Sequence, residues 1–323
     1  MQLTKPTSAL DNFVWYLKYF ALPLTVGATM YGICCKRNEK KRRAILGGKV
    51  VVITGASSGI GESLAHVFYE YGSKVVLVSR REAELNRVKQ DLISKRLNTR
   101  TEEPVVLPLD LAELAQIDAF VEKVYTHCGH VDILINNGGV SHRDSVINTS
   151  IEVDKKIMFI NYFGAVALTK AFLPKMVSRK SGSIIFVSSV QGLIAIPERS
   201  AYAATKHAMQ AFGDCLRAEM KQHNVHVGVM SPGYVQTAVS LNALKGSGIS
   251  HGVMDKETAA GFTPEKVAKE IMDMVVFKKN EVICSQLLPK LAIFLRHSSP
   301  QLYFSVMARR AKKTTFEDNI LTH

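Results

Sequence analysis

Several features that mark other classes of protein are missing from this 323-residue chain. Its five cysteines are odd in number and scattered, and none forms a Cys-x-x-Cys pair, so the sequence indicates neither a disulfide framework nor a metal site. Residues 48–285 contain no Pro/Gly/Ser-rich linker and no internal repeat, which favours one continuous core domain. The formal net charge of +13 comes without any aromatic-interleaved groove motif, which argues against nucleic acid as a partner.

A glycine-rich turn follows the first strongly apolar run. Lys49–Ile53 is rich in valine, as in a strand buried on both faces, and residues 62–71 repeat apolar side chains at helical spacing. Between them, glycines allow the backbone to approach a pyrophosphate, and the helix N-terminus offers free N–H groups. The turn therefore predicts a dinucleotide site. Its expected contacts are Gly55, Ser57, Ser58, Gly59, Ile60 and Gly61.

The end of the second strand indicates which dinucleotide is bound. Lys74–Ser79 ends about 20 residues past the glycines, where an NAD site places an acid for the ribose 2′-hydroxyl. This chain has Arg80 and Arg81 there. A guanidinium holds a 2′-phosphate that an acid would repel, so we expect NADP(H) with Arg80 as the phosphate contact. For Arg81 the sequence leaves two roles open: a contact with the 2′-phosphate, or a solvated residue at the start of the next helix.

The pair Tyr202 and Lys206 has the spacing of two residues on one helix face. Charges about 4 Å apart at an effective dielectric near 20 interact by about 4 kcal/mol, which would lower the Tyr202 pKa from about 10 to roughly 7. Tyr202 would then serve as a general acid. Ser189 ends a strand-like run thirteen residues earlier, where a hydroxyl is suited to hydrogen-bond a substrate carbonyl.

These motifs resemble those of the short-chain dehydrogenases/reductases in order and spacing. Asn136-Asn137-Gly138-Gly139, Asn161 and the run Pro232–Thr237 extend the match, which covers about Gly47 to Ser285. The resemblance implies an α/β fold, a Rossmann-like doubly wound sheet of seven parallel strands. It also implies a catalytic tetrad of Asn161, Ser189, Tyr202 and Lys206. The implied cofactor contacts are Asp110 (adenine), Asn137 (adenosine side), Tyr202, Lys206 (nicotinamide ribose), and Pro232, Val235 and Thr237 (carboxamide stretch).

One position departs from the family pattern. Gly138 stands where the family usually has alanine, and we expect the lost methyl to loosen that turn by about 0.5–1 kcal/mol without removing a catalytic group. The segment 238–261, rich in Gly and Ser, resembles the family's mobile substrate lid.

Three segments are similar, more specifically, to the membrane-anchored 7B-type members of the family: Asn161–Pro174, Ser200–Phe212 and Leu287–Arg296. That similarity implies NADPH-dependent reduction of a carbonyl in a lipophilic substrate, with acyl- or alkyl-dihydroxyacetone phosphate as the suggested ketone. A retinoid or steroid dehydrogenase and a non-enzymatic NADPH-binding scaffold are the alternatives. Whether the chain forms a homo-oligomer is left open.

An uncharged apolar segment lies near the N-terminus. It runs from Tyr19 to Cys35, extends to Phe13 if Lys18 snorkels, and is followed by a basic cluster at residues 36–43. We expect an uncleaved single-pass anchor in an endoplasmic reticulum or peroxisomal membrane, with Trp15, Tyr16 and Tyr31 at the interface. The basic cluster favours a cytosolic catalytic domain, with a lumenal one as the alternative.

The expected organisation is therefore a membrane anchor and basic segment at residues 1–46, a catalytic domain at residues 47–285 and an amphipathic, basic extension at residues 286–323. In the extension, apolar residues including Leu287, Leu291 and Phe294 form a helical stripe. The stripe is suited to cover the domain's own core, a dimer partner or a bilayer, and the sequence leaves these open.

Overall fold

The computed structural model describes Trp15, Tyr19, residues 22–95 and residues 101–321. The chain divides into two units, Met1–Ile45 and Leu46–His323. The helices are α1 (Leu22–Leu46), α2 (Gly59–Glu70), α3 (Glu82–Ser94), α4 (Ile117–Cys128), α5 (Ile151–Met158), α6 (Gly164–Ser178), α7 (Ser200–Met220), α8 (Lys256–Ala259), α9 (Pro264–Phe277), α10 (Leu287–Ser298) and α11 (Pro300–Leu321). The strands are β1 (Val50–Thr54), β2 (Lys74–Val78), β3 (Val105–Val106), β4 (Ile133–Asn136), β5 (Gly182–Val187), β6 (Val225–Pro232) and β7 (Glu281–Cys284).

The strands form one parallel sheet in the order β3-β2-β1-β4-β5-β6-β7. This arrangement confirms the predicted Rossmann-like fold. The chain builds one half of the sheet outward from β1 and then returns to start the other half at β4, so the strand order reverses between these two strands. In open α/β sheets, ligands bind outside the carboxyl ends of the strands at such a switch point.

Apolar strands covered by helices on both faces make up the core. All five residues of β1 are buried, as are all four of β4, which is why these segments read as continuous apolar runs. Helices α2 and α9 pack against each other, as do α4 and α6. Phe120, Phe172 and Leu216, from α4, α6 and α7, join one buried cluster with strand residues such as Phe186.

Among the described residues, one helical stretch is long and apolar enough to cross a membrane. It is the continuous run Ile151–Ser178, with a mean hydropathy of 1.4 over its most apolar window, of which 44% is buried. Leu168 and Phe172 within it are fully buried in the core cluster, so we assign this stretch to the catalytic unit.

The predicted N-terminal anchor overlaps α1 only in part. Phe13, Tyr16 and Lys18 lie outside the described residues, and the rings of Trp15 and Tyr19 lie 5.6 Å apart. The described part of the segment, from Leu22 onward, is helical.

Candidate active site

The turn between β1 and α2 has a backbone that only glycine fits at several positions. Gly55 and Gly59 have φ angles of 69° and 58°, in the left-handed region. A Cβ on Gly59 would lie 2.9 Å from the Cγ2 of Thr237, and one on Gly61 would lie 2.1 Å from the carbonyl oxygen of Gly55. The turn therefore brings bare backbone to the sheet's carboxyl edge, as a pyrophosphate cradle needs. All six predicted residues of this turn, 55, 57, 58, 59, 60 and 61, lie here.

Hydrogen bonds centred on Thr54 join the ends of β1 and β4 at the switch point. The Thr54 Oγ1 accepts from the backbone N–H groups of Asn137 at 3.0 Å and Gly138 at 2.9 Å. The Asn137 Nδ2 in turn donates to the Thr54 carbonyl oxygen at 2.9 Å. Asn137, predicted from the family pattern, thus lies beside the glycine turn and also fixes its neighbouring strand.

The space left by the missing methyl of Gly138 is filled. A Cβ there would lie 2.8 Å from the Cδ1 of Leu111, which is buried against the turn. Leu111 thus packs where the methyl of an alanine would stand, which sets a steric cost against the expected loosening of the turn, and Gly138→Ala measures the balance.

Arg81, whose role the sequence left open, contacts the glycine turn. Its Nη2 donates to the hydroxyls of Ser57 at 2.9 Å and Ser58 at 3.1 Å. The Nη1 of Arg80 lies 3.8 Å from the Oδ2 of Asp110, and the Arg80 side chain is 56% exposed. Both guanidinium groups and the predicted adenine contact Asp110 therefore border the same end of the cradle. Of the two arginines, Arg81 is the one that contacts the turn itself.

Asn161 lies in a π-helical turn, Phe159–Phe163, inserted between α5 and α6. Such turns are frequent at functional sites because they re-aim side chains. The Asn161 Oδ1 accepts from the Val140 N–H at 2.8 Å, and its Nδ2 donates to the Val140 carbonyl at 2.9 Å and to the Thr205 Oγ1 at 3.1 Å. The buried amide therefore holds the loop after β4 against α7.

Lys206 projects from α7 toward Asn161 and the loop after β4. Its Nζ is buried and donates to the Val187 carbonyl oxygen at 2.8 Å. A Cβ on Gly139 would lie 3.0 Å from the Asn161 Oδ1 and 3.9 Å from the Lys206 Nζ, so these groups converge on that glycine. The Nζ also lies 5.5 Å from the centroid of the Tyr202 ring, as residues four apart on one helix face should.

Ser189 meets Tyr202 at the end of β5. The Ser189 Oγ accepts from the Gln191 N–H at 3.1 Å, capping a short 3₁₀ turn, and the same hydroxyl is close enough to Tyr202 to oppose the rise of its pKa. The structure thus brings Asn161, Ser189, Tyr202 and Lys206 together at one edge of the sheet.

The electrostatics of this group differ from the sequence expectation. Burial raises the pKa of Tyr202, and the hydrogen bond from Ser189 and the nearby charges of Arg143 and Arg199 only oppose that rise. Burial lowers the pKa of Lys206 to about 8. The expected Tyr202 pKa of roughly 7 counted the attraction of the ammonium and omitted the loss of water around both groups, which dominates here.

The stretch after β6 closes the other side of the site. The Pro232 carbonyl oxygen lies 3.5 Å from the Ser189 Oγ, and Val235 is buried next to a backbone bridge with Phe262. Thr237 contacts Gly59 of the glycine turn. All three predicted residues of this stretch therefore lie between the cradle and Ser189, where a nicotinamide ring would need to be held.

An ion-pair cluster beside Tyr202 was missed by sequence reasoning. Arg143 donates through Nε and Nη2 to the Asp255 Oδ2 at 2.9 and 2.5 Å, and the Arg199 Nη2 lies 3.5 Å from the same oxygen. Burial opposes ionisation of Asp255, but the Arg143 hydrogen bond holds its pKa below the usual value. Burial also lowers the pKa of Arg199 to about 10. No sequence motif links Arg143 to Asp255, since 112 residues separate them.

The same contacts tie down the predicted lid, residues 238–261. Besides the Arg143–Asp255 pair, the Gly246 N–H donates to the Asp144 Oδ2 at 2.9 Å, and Leu244 forms a bridge with His142. The lid is thus fastened to the loop that follows β4, on the side of the site where Tyr202 lies.

Comparisons with known proteins agree with this geometry. Residues 49–246 match the family model described as short chain dehydrogenase. The chain is 50% identical over 313 residues to the Dehydrogenase/reductase SDR family protein 7-like of Drosophila melanogaster, covering 97% of this chain and 96% of that protein. It is 45% identical over 295 residues to the Dehydrogenase/reductase SDR family member 7B of Xenopus laevis, covering 91% of each. A metagenomic short-chain oxidoreductase solved in complex with NADP is similar in structure, with a TM-score of 0.61 and 25% identity over 74% of this chain and 97% of that one.

Proposed function

The chain belongs to the short-chain dehydrogenase/reductase family and is an NAD(P)-dependent oxidoreductase, and we propose that it reduces a carbonyl group of a lipophilic substrate with NADPH at a membrane. The observation that carries this proposal is the convergence of Asn161, Ser189, Tyr202 and Lys206 beside the glycine cradle. Acyl- or alkyl-dihydroxyacetone phosphate is the ketone class that we favour.

The cradle fits a dinucleotide phosphate. Positions that a Cβ would fill, above all Gly59 and Gly61, leave the backbone open to a pyrophosphate at the start of α2. The Arg81 guanidinium donates hydrogen bonds to the Ser57 and Ser58 hydroxyls. In this position its fork of N–H donors would hold a 2′-phosphate. We therefore assign the phosphate contact to Arg81 first, with Arg80 beside it and bridged to Asp110.

A dinucleotide held by this cradle would supply the hydride for the reduction from its nicotinamide ring. Tyr202 gives a proton to the carbonyl oxygen of the substrate, and the Ser189 hydroxyl hydrogen-bonds the same oxygen as negative charge develops there. Lys206 stabilises the phenolate that Tyr202 becomes, because an ammonium nearby favours the charged form. Asn161 positions the loop at Gly139 and Val140 against Lys206.

The test of this function compares membranes or cells that contain the wild-type protein with ones that contain Tyr202→Phe. The change removes only the phenolic proton donor, so turnover should fall by about 10²–10⁴-fold while NADPH affinity stays nearly the same. An untargeted comparison of lipids should show a ketone accumulating in the variant and its alcohol missing. Identical lipids, with NADPH bound by both proteins, would instead support a non-enzymatic scaffold.

We propose that the chain is held in an endoplasmic reticulum or peroxisomal membrane by its N-terminal segment. Leu24, Val26, Met30, Tyr31 and Ile33 of α1 have exposed apolar side chains spread around the helix, a pattern that suits a bilayer better than a one-sided packing surface. The basic cluster that follows favours a cytosolic catalytic unit.

One sequence in the chain can report on which side of the membrane the catalytic unit lies. Asn148-Thr149-Ser150 is an acceptor sequence for glycosylation, and Asn148 is exposed in the loop after β4. Protease added to sealed vesicles should digest the catalytic unit, and Asn148 should carry no glycan. Protection from the protease would place the site in the lumen, whatever the state of Asn148.

A further inference from the structure

The two C-terminal helices leave a large apolar surface uncovered on the catalytic unit. We call it the C-terminal apolar face and define it by exposed side chains on both helices. Leu288 and Phe294 of α10 are 76% and 69% exposed, although large side chains of these types are usually buried. Soluble proteins rarely expose a contiguous patch of this kind unless something binds it. Its members are Leu287, Leu288, Leu291 and Phe294 on α10 and Leu302, Phe304 and Val306 on α11.

The spacing shows which side of each helix is covered and which is exposed. Leu287, Leu291 and Phe294 follow each other at helical intervals of four and three residues, so they share one face of α10. On α11, Tyr303 is buried and Met307, one turn later, is half-buried, whereas Leu302 and Val306 are exposed on one flank of this inner stripe. Phe304 is exposed on the other flank, with the guanidinium carbon of Arg296 4.9 Å from its ring centroid. The pair therefore has one face against the catalytic unit and another that none of its described residues covers.

The inner face is fastened next to the active site. The Tyr303 hydroxyl donates to the Ala195 carbonyl oxygen at 2.5 Å, in the loop that follows Ser189. About two turns further along α11, the Arg310 Nη2 lies 3.5 Å from the Tyr234 hydroxyl and 3.9 Å from the Glu257 carboxylate. Helix α11 thus links the loop after Ser189 to the loop after β6 and to the lid, so the C-terminal apolar face lies on helices that contact the loops around the site.

Up to Phe316 the two C-terminal helices carry only basic charges, and Glu317 and Asp318 follow near the end of α11. Residues 282–316 contain no Asp or Glu and six Lys or Arg, among them the exposed Lys290, Arg309 and Lys312. A second copy of the chain would present the same basic residues and repel this face. A bilayer with anionic headgroups offers apolar depth for the leucines and phenylalanines and negative charge for the basic residues.

We infer that the C-terminal apolar face is a membrane-docking surface, which lies in the headgroup and acyl boundary of an anionic bilayer and opens the active site toward it. This surface is additional to the N-terminal anchor and does not depend on it. A lipophilic substrate then enters from the bilayer without crossing water, past the loop at Ala195.

Photo-crosslinking tests the docking directly and needs no turnover. The full-length protein is reconstituted in nanodiscs of phosphatidylcholine with about 20 mol% phosphatidylserine, with p-benzoylphenylalanine in place of Phe294. The matched control carries the same group at Phe159, an exposed phenylalanine of the catalytic unit outside the C-terminal apolar face. Lipid adducts at position 294 and not at 159 are expected. Adducts of position 294 with a second copy, with the N-terminal segment or with no molecule would overturn the inference.

A kinetic comparison tests the entry route. Leu287→Ser, Leu291→Ser and Phe294→Ser combined should raise the KM for a long-chain ketone presented in the bilayer by about tenfold or more, because the docked state is weakened. The kcat/KM for a short, water-soluble ketone should stay unchanged, since these side chains lie outside the site. An equal change for both ketones, or none for the long one, would contradict the route. If neither wild type nor variant reduces any ketone, the proposed function fails while the crosslinking result still decides the docking.

Discussion

Replacing Lys206 with methionine should make the ligand-free protein more stable while abolishing its catalysis. Burial lowers the Lys206 pKa from 10.5 to about 8, and at about 1.4 kcal/mol per pKa unit the charged side chain costs about 3 kcal/mol in the folded state. Methionine fills a similar volume without a charge. It also forfeits the hydrogen bond to the Val187 carbonyl, which offsets about 1–2 kcal/mol of the gain. The net expectation is a gain of about 1–2 kcal/mol.

The sign of the pH dependence follows from the direction of the pKa shift. Because the folded-state pKa of Lys206 lies below the unfolded one, the unfolded chain binds more protons between about pH 8 and pH 10.5. The cost of the buried ammonium is fully present below pH 8 and disappears as the pH rises toward 10.5. The stability advantage of Lys206→Met over wild type should therefore shrink by about 1 kcal/mol between pH 7 and pH 9.

Thermal unfolding of the detergent-solubilised protein measures both effects. For a domain of this size, about 1–2 kcal/mol corresponds to a rise in Tm of about 2–8 °C at pH 7. Lys155→Met, at a lysine that is 57% exposed, is the matched control and should leave the Tm unchanged. A lower Tm for Lys206→Met at pH 7, or an advantage that does not shrink with pH, would refute the reasoning that the ammonium is poorly solvated.

Three further changes test separate parts of the site. Arg81→Asp should reduce the kcat/KM for NADPH relative to NADH more than Arg80→Asp does, because of the two arginines only Arg81 contacts the glycine turn. A larger effect of Arg80→Asp would show that Arg80 is the main contact of the 2′-phosphate. Gly138→Ala should lower the stability by about 1 kcal/mol, because the new methyl meets Leu111, and Leu111→Ala in the same chain should relieve that clash; a more stable Gly138→Ala protein would show that Leu111 moves freely. Asp255→Asn should cost about 3 kcal/mol and speed proteolytic cleavage within residues 238–261, because Arg143 loses its buried partner; an unchanged cleavage rate would mean that the ion pair does not hold the lid.

The parts of the site that sequence reasoning predicted are those that depend on nearby residues. The strand, turn and helix around Gly55, Gly59 and Gly61 are set by local patterning, and the Tyr202–Lys206 pairing follows from helical periodicity alone. The sheet of seven parallel strands came from the family resemblance, and its order was not predicted, because that order depends on pairings between distant strands such as β1 and β4.

What sequence reasoning missed depends on contacts between distant segments. Arg143 and Asp255 are brought together only by the folded loops, and Leu111 fills the space at Gly138 from a different part of the chain. The pKa of Tyr202 moved opposite to the expectation because burial, which no local pattern reports, outweighs the effects of Ser189, Arg143 and Arg199 that lower it. Likewise, the helical stripe of α10 was visible in the sequence, but which surface it faces was not.

The most direct test of the proposed chemistry follows the hydride itself. Purified wild-type protein and Tyr202→Phe are incubated with a long-chain ketone and NADPH carrying deuterium at C4 of the dihydronicotinamide, and the alcohol is examined by mass spectrometry. We predict deuterium on the carbinol carbon with the wild type and at least about 100-fold less product with the variant, both proteins binding NADPH alike. Equal amounts of deuterated alcohol from both proteins would contradict the role of Tyr202. Binding of NADPH by the wild type without transfer to any ketone would contradict the proposal of a carbonyl reductase.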